Sequence, residues 1–314
     1  MAARWGLLPV MLAGVVVVAV AGLVARPAAA AGTAPTVVAS IKPVHSLVAG
    51  VMEGVGTPAL LVRGGASPHA YTLRPSEARA LREAQVVFWV GPKLELFLRG
   101  PLAALAGEAR VVALAEAPGV ARLPQREGGV WGHDEDESHG PGAYNPHVWL
   151  DPRNAEAMVA TIADVLAQAD PPHAAAYRAN AQHLRAGIAA LDHELAKRLE
   201  PVRERPFLVF HDAYAYLEHR YGLHAVGAIT VEPDQPPGAR RVIELRERIR
   251  DAGAVCVFAE PQFQPHLVRI LIEGSDIRAG VLDPLGADLP AGTALYFTLM
   301  RDLAKSLQTC LAPR

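Results

Sequence analysis

Apolar residues along this chain fall into two rhythms, and each rhythm predicts an element. Short β-branched or aromatic runs stand at 36–41 (TVVASI), 59–64 (ALLVRG), 86–91 (VVFWVG) and 111–116 (VVALAE). Segments such as Ser46 to Glu53 and Ser76 to Glu83 lie between them and read as helices. The same style returns at 207–212 (FLVFHD), 225–230 (AVGAIT), 254–260 (AVCVFAE) and, more briefly, 280–283 (GVLD). Strands separated by helices imply mostly parallel sheets built from βαβ units. The expected fold class is therefore α/β, as two α/β lobes that each bury a core of their own. No internal sequence repeat relates the halves.

The connection between the halves has the clearest periodicity. After Asp170, an N-cap residue, and the pair Pro171-Pro172, apolar residues recur at Tyr177, Ala181, Leu184, Ile188, Leu191, Leu195 and Leu199. Steps of three and four place them on one stripe of a helix. A helix over 170–200 makes a rod of about 43 Å. No heptad charge pattern marks it as a coiled coil. It is expected to be a rigid strut between a lobe at 32–169 and a lobe at 201–314, allowing only a small closure.

Two stretches follow neither rhythm. Residues 1–31 hold Arg4, an uncharged run from Leu7 to Ala25, and small residues from Ala28 to Ala31. That order reads as a secretory signal peptide cleaved near Ala31, in preference to a membrane anchor, and the mature chain is expected to be soluble and exported. Residues 126–145 have no periodicity and carry His133, four acidic residues at 134–137, and His139. This is expected to be a surface loop, either a solvated acidic segment or a weak metal-collecting tether.

Composition narrows the function classes. With 30 basic and 32 acidic residues in 314, and 51% hydrophobic residues, the chain is neither a disordered segment nor a nucleic-acid binder with a basic face. Two cysteines exclude a disulfide scaffold or a cysteine-rich zinc module. In an exported chain, Cys256 and Cys310 most simply pair, the alternative being two free thiols; closing that loop stabilises by about 4 kcal/mol. Twelve histidines are the unexplained surplus.

Three of them stand where a strand run gives way to a loop or helix: His69 in SPHAY, His147 in NPHVWLDP and His211 in FHDAY. Asp283, in VLDPLG, occupies a fourth such junction. In open α/β sheets the carboxyl ends of strands face the binding crevice. Imidazoles with one carboxylate form an ordinary tetrahedral Zn²⁺ shell. Singly, each histidine has a bland structural explanation. Asp212 and Glu260 are expected as hydrogen-bond partners of ligating imidazoles. His45 is expected at the surface, and Trp89 and Trp149 at the packed edges of the site.

The pieces SIKPVHSLVAGV, SPHAYTLRPSEA, VVFWVGP, NPHVWLDP, FHDAY, CVFAEPQF and LDPLG, in this order, resemble the zinc-binding substrate-binding proteins of ABC importers, the ZnuA type. The resemblance runs from about Val37 to the carboxyl terminus. It implies two lobes joined by a long helix, metal in the interlobe cleft, a periplasmic location, and delivery to an inner-membrane permease, with an accessory zinc chaperone as a further partner of a monomer. It makes His69, His147 and His211 the ligands and Zn²⁺ the cargo, and it implies a Cys256–Cys310 disulfide. Some members carry a glutamate just before the first histidine; here that residue is Pro68, so Asp283, preferred, or a water completes the shell. A histidine at the FHDAY position resembles zinc members rather than those taking manganese or iron. An exported zinc hydrolase is the rival of another class, but no H-E-x-x-H supports it, and no enzyme activity is expected. Because ligating imidazoles must be neutral, zinc affinity is expected to fall below about pH 6.5.

Overall fold

Every one of the β-branched runs overlaps a strand, because such side chains pack on a pleated surface and lose rotamer freedom in a helix. The computed structural model describes residues 1–3, 6, 33–126, 131, 143–230, 238–263 and 266–313. The signal-peptide stretch apart from residues 1–3 and 6, and both His133 and His139, lie outside the described residues. Strands β1 (Val37–Ala39), β2 (Ala59–Leu60), β3 (Val86–Trp89) and β4 (Arg110–Ala113) form one sheet; β5 (Phe207–Val209), β6 (Ala225–Ala228), β7 (Cys256–Ala259) and β8 (Arg278–Val281) form another. The helices are α1 (Lys42–Val51), α2 (Pro75–Glu83), α3 (Arg99–Leu105), α4 (Pro152–Ala169), α5 (Ala174–Leu199), α6 (Ala215–Tyr221), α7 (Ala239–Asp251), α8 (His266–Ile272) and α9 (Leu295–Leu311). Among the described residues no helix is long and apolar enough to cross a membrane.

Both sheets are parallel throughout and wired alike, in the orders β2-β1-β3-β4 and β6-β5-β7-β8. In each, the chain steps outward to its second strand and returns to the other side for its third. The crevice that this reversal opens lies between β1 and β3 in the first sheet and between β5 and β7 in the second.

Strand side chains alternate between two faces, and here both faces are apolar. Val38, Val87 and Trp89 pack outward with Leu81, Leu98 and Leu102, under α2 and α3. Leu208, Val257 and Ala259 pack outward with Leu245, Ile249, Val268 and Leu271, under α7 and α8. Val37, Ala39, Val86 and Phe88 of one sheet and Phe207, Val209, Cys256 and Phe258 of the other face a single continuous core that includes α1, α4, α5 and α9. The lobes thus have separate outer cores and a shared inner one, where the sequence pattern alone suggested two independent cores.

The predicted helical stripe holds residue for residue: Tyr177, Ala181, Leu184, Ile188, Leu191, Leu195 and Leu199 are all buried. The helix is less a free strut than expected, since it lies against α4, α9 and α1. Its first turn is a 3₁₀ turn over Pro171–His173, and Asp170 accepts hydrogen bonds from His173 Nδ1 and Tyr177 Oη, both at 2.8 Å. Cys256 of β7 and Cys310 of α9 form a disulfide that fastens the last helix to the second sheet. Gly280 of β8 makes this approach possible: a Cβ there would stand 2.5 Å from the Phe258 ring and 3.1 Å from Cys310 Sγ.

Candidate metal centre

Each histidine reaches the centre from a different kind of element. His211 lies just past the carboxyl end of β5, at the sheet's crevice. His69 is on the loop between β2 and α2, its backbone N–H donating to Ser67 Oγ at 3.3 Å. His147 precedes a 3₁₀ turn, Val148–Leu150, that leads into α4, where Asp151 caps the helix by accepting from the Arg153 N–H and Pro152 takes the first position. These three residues form a group whose ligand atoms all lie within 4.8 Å of one another. His147 Nε2 stands 3.4 Å from His69 Nε2 and 3.2 Å from His211 Nε2.

The spacing between His147 and His211 is not a hydrogen bond once their other ring nitrogens are considered. His211 Nδ1 is 2.7 Å from Glu260 Oε1 and His147 Nδ1 is 3.0 Å from Asn145 Oδ1. Both partners are acceptors, so both Nδ1 atoms carry the proton and both Nε2 atoms present lone pairs to each other. Nitrogens 2.0–2.1 Å from a tetrahedral Zn²⁺ are separated by roughly 3.3 Å, the edge of that tetrahedron. The rings are set at that edge length. Trp149, Pro68, Phe263, Pro284 and Leu285 line the remaining wall, and the cavity beside the rings measures about 10 Å³. That is room for one water-sized species.

Burial keeps the His69 and His147 rings neutral. His69 is lowered to about 3, first by desolvation and then by the His211 imidazole. His147 is held well below its ordinary value by desolvation, with His211 and His69 adding to it. Proton competition at these two ligands therefore sets in at lower pH than the 6.5 of an ordinary imidazole.

The carboxylates depart from expectation. Asp283 does not join the imidazoles: its Oδ1 accepts from the Leu285 N–H, the Gly286 N–H and Gln262 Nε2, and its Oδ2 from the Ala287 N–H. A carboxylate at the end of a strand can collect the amides of the turn that follows as readily as it can bind a metal, and here it does the former. Asp212 is likewise not a partner of a ligand; with Glu218 it holds the Arg126 guanidinium, which lies over the Trp131 ring. Glu260 is the carboxylate on His211. His45 is buried, with Nε2 3.1 Å from the Pro58 carbonyl, rather than at the surface. Trp149 lines the site and donates Nε1–H to the Pro284 carbonyl, whereas Trp89 lies in the outer core of the first lobe.

Three functional residues escaped the sequence reading. Asn145 fixes His147 and also donates Nδ2–H to the Asp212 carbonyl, binding the two lobes beside the ligands. Its place two residues before a histidine, within NPH, was the available signal. Lys42 donates to the carbonyls of Gly286, Ala287 and Leu289, and so carries the Pro284–Leu285 wall from the first lobe. It sits in the SIKPVHSLVAGV motif. Gln262, the third, sits in the CVFAEPQF motif.

The family description of zinc-uptake complex component A, periplasmic (ZnuA), matches residues 37–310. The chain belongs to the ZnuA family. It is 45% identical to the high-affinity zinc uptake system protein ZnuA of Brucella suis biovar 1 (strain 1330), over 90% of this chain and 93% of that one. A crystal structure of ZnuA superimposes with a TM-score of 0.77 at 26% identity, covering 89% of this chain and 100% of the other. A zinc-bound ZnuA deletion mutant gives 0.75 at 25% identity, covering 90% and 99%. The match spans both sheets and α5, so the two-lobe architecture with a long linking helix is that of the ZnuA family.

Proposed function

We propose that this chain is the periplasmic zinc-binding component of an ABC importer, which captures Zn²⁺ between its lobes and passes it to an inner-membrane permease without covalent chemistry. His69, His147 and His211 are the protein ligands. The observation that carries this is the convergence of their Nε2 atoms at 3.2 and 3.4 Å, with the opposite nitrogens of His147 and His211 fixed as donors. With Asp283 engaged by backbone amides, a solvent oxygen takes the fourth position. Nitrogen ligands in this geometry disfavour Mg²⁺ and Ca²⁺, which take oxygen ligands, and a carboxylate-poor shell favours zinc over manganese.

The leader at 1–31 is removed near Ala31, leaving lobes at 32–169 and 201–314 joined by 170–200. The shared inner core and the packed linking helix favour a small closure on binding. The tests are metal analysis and zinc affinity of the mature chain beside His69→Ala, His147→Ala and His211→Ala. One tight zinc per chain, weakened more than about 100-fold in each variant, is expected. Zinc that stays tight in the variants places the ligands elsewhere and removes the mechanism.

A further inference from the structure

Gln262 connects the displaced carboxylate to the metal pocket. It lines the cavity with the three imidazoles. Its Nε2 donates to Asp283 Oδ1 at 2.8 Å. An ionised carboxylate only accepts, so the amide is held with its NH₂ toward Asp283 and its carbonyl turned away. That carbonyl oxygen, Oε1, is buried and has no hydrogen-bond partner among the described residues. A buried unpartnered acceptor is costly in free energy and asks what donor completes it.

We propose that Gln262 is the positioning residue for the solvent ligand of the bound zinc: Oε1 accepts a hydrogen bond from the metal-bound water, and Asp283 sets the amide for that task. This rests on the three-imidazole reading. Glu260 Oε2 is the other buried unpartnered acceptor lining the cavity. Its carboxylate, however, is bonded to the Nδ1 edge of His211, while the metal belongs at the Nε2 edge. Gln262 is therefore the acceptor suited to the fourth position. A carbonyl oxygen there favours a ligand that can donate, such as water, and repels an anion that cannot. Gln262 thus makes the site selective for a fourth ligand that can donate, and Asp283 affects zinc without touching it.

The test compares the wild-type mature chain with Gln262→Leu, and with Gln262→Met should the leucine variant not fold. Zinc affinity is measured by chelator competition. Azide binding to the Co²⁺-loaded protein is read from the visible spectrum. About tenfold weaker zinc is expected, together with tighter azide binding than in the wild type. Loss of packing alone would weaken zinc and leave azide unchanged, so unchanged azide binding overturns the proposal whatever the zinc affinity. His69→Ala in the same assay separates the two levels: if it retains tight zinc, the three-imidazole reading itself has failed.

Discussion

The two sheets have the same strand order and put their crevices to opposite uses. In the second, His211 after β5 and Glu260 after β7 straddle the reversal point and hydrogen-bond across it at 2.7 Å, leaving Nε2 free for a metal. In the first, the polar residues near the reversal point are Ser40 after β1 and Glu95 beyond β3, both fully buried. Glu95 accepts from the Gly91 N–H at 2.9 Å, with the Ser40 hydroxyl beside it, and burial raises its carboxyl to about 7. That crevice is closed, and the first lobe supplies its ligands from the β2–α2 loop and from the segment before α4. Wiring decides where a crevice forms; the side chains at its rim decide whether it binds or is plugged.

The comparison breaks most sharply at His211. His211→Ala should weaken zinc more than about 100-fold, whereas Ser40→Ala in the other crevice should leave zinc affinity unchanged in the same competition assay. Next in size, Glu260→Gln should weaken zinc about 10- to 100-fold, because the amide no longer holds His211 as firmly in the Nδ1–H form. Equal affinity would mean that the ring is fixed by packing alone.

The plugged crevice should show itself through pH. Glu95 binds its proton more tightly folded than unfolded, so its contribution to stability is fully present below about 4.5 and is lost as pH rises through about 7. Relative to Glu95→Gln, the wild type should lose about 2 kcal/mol between pH 5 and 7.5 in urea denaturation, with zinc affinity unaffected. The metal site has the opposite sign and an effect of similar size. Folded His69 resists protonation down to about 3, so between 6.5 and that value the unfolded chain binds the extra proton and stability falls as pH falls. The metal-free wild type should lose about 2 kcal/mol against His69→Gln on going from pH 7.5 to 5. A difference that stays constant with pH would refute the burial argument at that ring.

Much of the fold was legible because it is local. The β-branched runs mark all eight described strands, and the stripe from Tyr177 to Leu199 marks the buried face of α5. The three histidines were legible at strand and helix junctions only in combination, through the motifs around them. Asp283 and Asp212 were misread for one reason: a carboxylate at a junction offers the same chemistry to a metal, to turn amides and to an arginine, and sequence does not say which arrives. Asn145, Lys42 and Gln262 went unmarked because their partners, apart from His147 two residues on, lie tens to hundreds of positions away.

What the sequence determined by itself is the set of elements, the α/β class and the linking helix, while the three histidines stood out only through the resemblance their motifs carry. The elements follow from backbone periodicity, a property that needs no distant neighbour. Tertiary structure alone decided that the lobes share an inner core, that one of two like-wired crevices is closed, and that the Nε2 atoms meet at a tetrahedral edge while Asp283 turns instead to Gln262 and the backbone. Burial pairs residues far apart in the chain, and in a desolvated interior each donor must find its acceptor among whatever the fold brings near.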